Sequence, residues 1–264
     1  MNISQELTNY YCTHNEDARL RSRHGQVEFL TTVHYIEKYL ERGMNILEIG
    51  AGSGIYSHYF ARNGYCVDAV ELINHNVEVF KQNTLENETV TITQGNALNL
   101  SHIPDNTYDI TLLLGPMYHL YTEGEQLQAL SEAMRVTKPK GIVFAAYCNS
   151  DMVMYQTCFA RNMLYPQAEK QKIDMKSFRL FSQPEDVFQL YRKEDIDALM
   201  SHFHITRMHY VGTDMLTRFV KDTVDKMDDK TFDIYMRYHF VICERADMVG
   251  ASNHMLDIFR KEVY

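Results

Sequence analysis

A chain of 264 residues, 45% of them hydrophobic, can bury one sizeable core, as a single domain or as a domain carrying insertions. Its formal charge of −9 and pI near 5.7 provide no general attraction for phosphate backbones, which argues against a nucleic acid partner. The five cysteines form no C-x-x-C pair and read as small buried apolar residues of a reducing compartment; with no signal-peptide core and no run of eighteen apolar residues, a cytoplasmic protein without membrane attachment is expected.

Residues 1–24 are polar, with Tyr10, Tyr11 and the basic pair Arg21 and Arg23 ahead of His24 and Gly25. From Gln26 to Arg42, Phe29, Val33, Ile36 and Leu40 mark one face of a helix that Gly43 can stop. The stretch from Met44 to Leu72 reads as strand, glycine turn, helix and second strand. A short apolar run opens into Gly50, Gly52 and Gly54, a helix starts near Ser53, and Glu71 closes the second strand about where an acid can accept from ribose hydroxyls.

Asn74 to Asn83 reads as another helix, and Thr89 to Gln94 alternates as a third strand ending at Gly95-Asn96-Ala97. Tyr108 to Leu114 is an apolar run suited to a strand buried on both faces, broken at Gly115-Pro116. Met117-Tyr118-His119-Leu120-Tyr121 then lies past its carboxyl end, where open α/β sheets bind ligands. A helix over Gln126–Val136 and a fifth strand, GIVFAAYC, complete an alternation that implies a mostly parallel sheet with helices on both faces.

Regular alternation stops there. Asn149 to Gln189 is rich in Met and aromatic residues, a helix resumes in YRKEDIDALM from Tyr191, and Phe203 to Val211 alternates as a sixth strand. Thr213 to Met248 suits two helices, and Asn253 to Val263 a last strand preceded by Gly250-Ala251-Ser252-Asn253-His254. The divisions expected are a cofactor-binding half over 1–150, a cap insertion over 151–190, a return to the sheet over 191–212, a second helical insertion over 213–250 and the final strand over 251–264. The forty-residue insertion follows the fifth strand and so can roof a pocket on the carboxyl edge.

The pattern Glu48-x-Gly50-x-Gly52-x-Gly54 lacks the third glycine of the dinucleotide fingerprint G-x-G-x-x-G, since Ile55 stands in its place. It resembles motif I of the class I methyltransferases that use S-adenosylmethionine, and the order of elements from Gln26 to the C-terminus is similar to theirs. The ending looks like that of bacterial members of mostly unassigned substrate. The resemblance implies a doubly wound α/β fold with seven strands in the order 3-2-1-4-5-7-6, the last antiparallel, and helical cap insertions. It implies S-adenosylmethionine held by Glu48, Gly50, Ala51, Gly52, Gly54, Glu71 and Leu72, with Asn96 and Ala97 at the adenine and Leu114 and Gly115 at the methionine part. For residues 1–24 it offers a cofactor lid beside the plainer reading of a frayed terminus.

Toward a small-molecule acceptor the resemblance places Tyr118, His119 and Tyr121, with His24 and His254 as further candidates. His119, whose imidazole titrates near neutral pH, is the expected general base if the acceptor must lose a proton. The sequence GPMY lacks the acceptor side chain that the Asp/Asn-Pro-Pro-Tyr/Phe motif requires at its first position, which disfavours amide and exocyclic amino nitrogens as targets. His202-x-His204 has neither cysteine nor paired carboxylates at ligand spacing, so no metal is expected. An NAD-linked oxidoreductase and a non-catalytic S-adenosylmethionine-binding module are the alternatives. Oligomeric state is not encoded in any of these patterns.

Overall fold

A computed structural model of the protein describes residues 3–13 and 16–263. Strands β1 (Asn45–Ile49), β2 (Cys66–Glu71), β3 (Val90–Gln94), β4 (Tyr108–Leu113) and β5 (Thr137–Asn149) are parallel. After them come β6 (Leu190–Tyr191), β7 (Ile205–Gly212) and β8 (His254–Lys261). The sheet runs β3-β2-β1-β4-β5-β8-β7, with β8 antiparallel to both β5 and β7. This is the order expected, with the two-residue β6 added. β6 pairs in parallel with Cys148 and Asn149 of β5. On that stretch β8 holds the other edge through Cys148 and His254, so β6 fills the place β4 vacates when it breaks at Gly115.

Residues 46–49 of β1 and all of β4 except Asp109 are buried, as strands covered on both faces must be. One face is covered by α6 (Glu123–Val136) and α9 (Lys193–Met200), the other by α3 (Arg23–Glu37) and α4 (Ile55–Arg62). Helix α3 is displaced from the expected 26–42 span because Ser22 caps it, its hydroxyl accepting from the Gly25 amide. The helix α5 (Asn74–Asn83) has the bounds expected from the sequence. Tyr191 does not resume a helix: it lies in β6, and α9 starts two residues later.

Two short helices precede α3: α1 (Ile3–Thr13) and α2 (Glu16–Arg21). Gly25 lets α2 approach α3 closely, since a Cβ there would lie 2.0 Å from the Arg19 carbonyl oxygen. The first insertion holds α7 (Ser150–Val153), a π-helical turn over Met154–Phe159 and α8 (Leu164–Glu169). The second holds a 3-10 turn over Met215–Val220, α10 (Lys221–Val224) and α11 (Asp229–Ile242). All five cysteines are free, and Cys12 and Cys66 are exposed, contrary to the expectation that each would be buried. Among the described residues no helix is long and apolar enough to cross a membrane.

Candidate active site

The glycine turn after β1 is imposed by its backbone. Gly50, Gly52 and Gly54 have φ of 75°, 55° and 88°, a region that side-chain-bearing residues rarely occupy. The amides of Gly50 and Ala51 both donate to the Val70 carbonyl, at 2.7 and 3.2 Å, which ties the turn to β2. A Cβ on Gly50 would lie 2.6 Å from the Pro116 ring, so the turns after β1 and β4 touch. A Cβ on Gly54 would lie 2.4 Å from the Phe80 ring of α5. Gly54 lines neither cavity described below, so its role is helix packing and not the cofactor contact expected of it. At Gly52 a Cβ would meet nothing within 4 Å, because the space in front of it is open.

Two adjoining cavities occupy this carboxyl edge. β1 lies there between β2 and β4, the point at which strand order reverses. The smaller, about 250 Å³, is bounded by Glu71, Leu72, Asn96, Ala97, His119 and Leu120. The larger, about 790 Å³, takes Glu48, Ala51, Leu114 and Tyr118 from the sheet side and His254 from β8. Gly50, Gly52, Asn76, Gly115 and Tyr11 line both.

Glu71 is buried and accepts from the Gly52 amide (2.8 Å), the Ile73 amide (2.8 Å) and the Asn76 side chain (3.2 Å). Burial raises its carboxyl above the ordinary range while these donors oppose the rise. The Leu72 amide also faces this carboxylate, and Glu71 borders the smaller cavity, where a ligand hydroxyl can share one of its oxygens with these donors. Glu48 accepts from the amide (2.9 Å) and hydroxyl of Ser57 in the first turn of α4, and burial pushes it up to about 8. Asn96 accepts from the Leu98 amide at 2.9 Å, an Asx turn that leaves its oxygen one lone pair.

His119 is buried, and both ring nitrogens are engaged: with Nδ1 protonated it donates to the Val187 carbonyl (2.8 Å), and Nε2 accepts from the Tyr11 hydroxyl (2.8 Å). Burial pushes it down to about 4, so the ring is neutral near pH 7. It lines the smaller cavity and has no nitrogen left to take an acceptor's proton while Tyr11 is in place, which speaks against the general base expected here. Val187 has φ of 68°, an outlier for a β-branched residue, and its carbonyl holds the imidazole. The chain beside it is fixed by the Gln189 amide donating to the Tyr118 carbonyl.

Tyr118 lines the larger cavity, its hydroxyl donating to the Leu114 carbonyl. Two expected acceptor contacts do not reach either cavity. His24 pairs with Asp225 at 2.8 Å, and the Tyr121 hydroxyl is buried without a hydrogen-bond partner among the described residues.

His254 does line the larger cavity, and its Nδ1 lies 3.2 Å from Glu28 of α3 and 3.1 Å from Asp214, which follows β7. Arg19 of α2 holds Glu28 at 2.7 Å. Asp214 also accepts from the Ser252 hydroxyl and the amides of Asn253 and His254, fixing the entry to β8. The two carboxylates hold the imidazole protonated well above its usual range, and the cations hold Glu28 and Asp214 below theirs. Glu28, Asp214 and His254 are the trio among the described residues whose ligand atoms converge, within 4.8 Å of one another. Arg19 and the imidazolium already neutralise them, so a metal ion would have to displace a bonded cation. Sequence reasoning singled out His254 but missed Glu28 and Asp214. Glu28 is an acid flanked by Val27 and Phe29 on an amphipathic helix, and that was its one signal.

A histidine whose folded-state pKa is raised adds stability below about pH 6.5 and loses it as pH climbs through the folded value. Urea midpoints of the wild-type protein are expected to fall from pH 6.5 to 9, with a flatter profile for His254→Gln. Parallel profiles would remove the imidazolium from this account. The lowered acids act in the opposite sense, their stabilisation fading as pH drops below about 4.

Residues 47–145 match the family model described as a methyltransferase domain. Over 118 residues the chain is 25% identical to the ubiquinone biosynthesis O-methyltransferase of Haemophilus ducreyi, covering 43% of this chain and 49% of that one. The protein of the same name from Vibrio cholerae is also 25% identical, over 43% and 45%. The chain therefore spans about half the length of the curated relatives it matches. Among solved structures, a SAM-dependent methyltransferase from Methanosarcina mazei superposes with a TM-score of 0.59 at 14% identity, covering 87% of this chain and 98% of that one. A SAM-dependent methyltransferase from Thermotoga maritima, described as a possible histamine N-methyltransferase, gives 0.56 at 15% over 99% and 100%. These similarities show the fold. With the glycine turn and the acid ending β2, the match over 47–145 shows a methyltransferase domain in this chain, set in the fold shared with S-adenosylmethionine-dependent methyltransferases.

Proposed function

We propose that the protein transfers a methyl group from S-adenosylmethionine to a small molecule held in the larger cavity. The observation that carries this reading is the division of the carboxyl edge into two lobes sharing one wall, the glycine turn. The residues present suit the cofactor: Gly52 leaves space where any side chain would intrude, Glu71 presents a carboxylate to the smaller cavity whose oxygens a ribose hydroxyl can share, and Asn96 keeps a lone pair for the adenine amino group. When bound, S-adenosylmethionine supplies a methyl group on a positively charged sulfur, open to in-line displacement.

The chain's own task is positioning and the exclusion of water, which can account for roughly 7–11 kcal/mol of barrier. Tyr118 and His254 line the acceptor side. His254 is an imidazolium held by two carboxylates, so it orients an acceptor as a donor and does not remove its proton. We assign Tyr11 and His119 a latch: the bond between them joins α1 to the segment after β4, and both residues line the smaller lobe.

Replacing Glu71 by Ala is expected to weaken S-adenosylhomocysteine binding by about 1.5–3 kcal/mol, and Glu71→Gln, which keeps one acceptor oxygen, by less. Unchanged affinity in Glu71→Ala would remove Glu71 from the ribose. The function itself is tested by incubating the protein with S-adenosylmethionine and a panel of small phenols, amines and carboxylic acids while following S-adenosylhomocysteine. Acceptor-dependent formation is expected. Tight cofactor binding with no turnover across the panel would favour a binding module instead.

A further inference from the structure

Two guanidinium groups at the larger cavity stand apart from the rest. Arg161, just past the π-helical turn of the first insertion, and Arg218, in the 3-10 turn of the second, both line the cavity and both are exposed. Among the described residues neither has a carboxylate within 4 Å. By contrast Arg19, Arg62, Arg135, Arg179, Arg192 and Arg207 each lie 3.1 Å or less from one. In a chain with 35 acidic against 26 basic residues, an arginine without an acid is the exception; Arg42 is another but borders neither cavity, whereas Arg161 and Arg218, from segments distant in sequence, both line this one.

The acids of the same wall do not offset them. Glu28 is already matched by Arg19 and His254, and Glu48 is bonded to Ser57 with its carboxyl pushed up to about 8. Both arginines also lie outside residues 47–145, the part that matches the methyltransferase domain. They belong to the insertions that cover the acceptor side. Tyr10, Tyr118 and Phe188 on the same wall suit a flat ring.

We infer that Arg161 and Arg218 form an oxyanion subsite, so that the methyl acceptor is a small, ring-bearing anion whose carboxylate or phosphate is held under the two insertions while its nucleophilic end faces the glycine turn. Guanidinium forks match both oxyanions through paired charge-assisted hydrogen bonds. The inference rests on the methyltransferase reading and specifies its substrate class.

The test uses the whole protein saturated with S-adenosylhomocysteine and titrated calorimetrically, at fixed ionic strength, with benzoate, phenyl phosphate and benzyl alcohol. At least one anion is expected to bind tenfold or more tighter than the alcohol. Arg161→Gln and Arg218→Gln should each cost it about tenfold, with S-adenosylhomocysteine affinity unchanged within twofold. Preference for benzoate identifies a carboxylate acceptor, and preference for phenyl phosphate a phosphate monoester. Anions that bind no tighter than the alcohol, or that bind the double variant as well as the wild type, overturn the subsite. Failure of S-adenosylhomocysteine to bind the wild type is a separate readout: it overturns the methyltransferase reading and the inference with it.

Discussion

Gly52→Val is expected to lose about 100-fold or more in affinity for S-adenosylmethionine, equivalent to roughly 2.7 kcal/mol. Gly52 has φ of 55° and no atom within 4 Å of where its Cβ would be, and it lines both cavities. A valine there fills the space the cofactor needs. It also strains the backbone by about 1–3 kcal/mol, which the affinity measurement must be separated from. Gly43 supplies the control, with φ of 88°, equally open surroundings and a place in neither cavity. Gly43→Val should show a similar fall in urea stability with cofactor affinity intact. Equal affinity losses in the two variants would mean that the turn acts through stability and not through space.

The largest loss of stability is expected at Arg207. Its guanidinium bonds both oxygens of Asp257 on the neighbouring strand β8, at 2.7 and 2.9 Å, and reaches Asp197 of α9 at 2.6 Å. Asp257 is fully buried, and burial raises its carboxyl against the pull of the arginine. Arg207→Ala leaves that carboxylate in the core without its partner and should cost about 3–5 kcal/mol in urea unfolding at pH 7. Removing both charges, in Arg207→Met with Asp257→Leu, should cost much less, because the desolvation penalty disappears together with the attraction. A loss below about 1 kcal/mol in the single variant would show that the pair contributes little to holding β7 on the sheet.

The parts of this structure legible in the sequence are those set by local chemistry. The glycines after β1 announce a turn, and the buried runs of β1, β4 and β5 announce a covered sheet, because period and backbone conformation are properties of short stretches. The acid ending β2 could be placed for the same reason. β6 was not legible, since two residues carry no period and Leu190–Tyr191 pair with β5 in the place left where β4, far back in the sequence, stops short. His119 was placed correctly past β4, yet its environment depends on Tyr11, 108 residues away, and on the carbonyl of Val187. The charged group around His254 draws on α2, α3, the turn after β7 and β8, and no spacing rule connects them. Arg161 and Arg218 carried no signal in the sequence, where an unpaired arginine looks like any other.

The most direct test of the account is calorimetric titration of the purified protein with S-adenosylmethionine, S-adenosylhomocysteine and NAD under one set of conditions. Saturable binding of both sulfur nucleosides, with none of NAD, is the result expected from a turn that ends on Gly54 packed against Phe80 and from an acid at position 71. Binding of NAD alone would contradict the assignment of the smaller cavity, and with it the role given to every residue around the glycine turn.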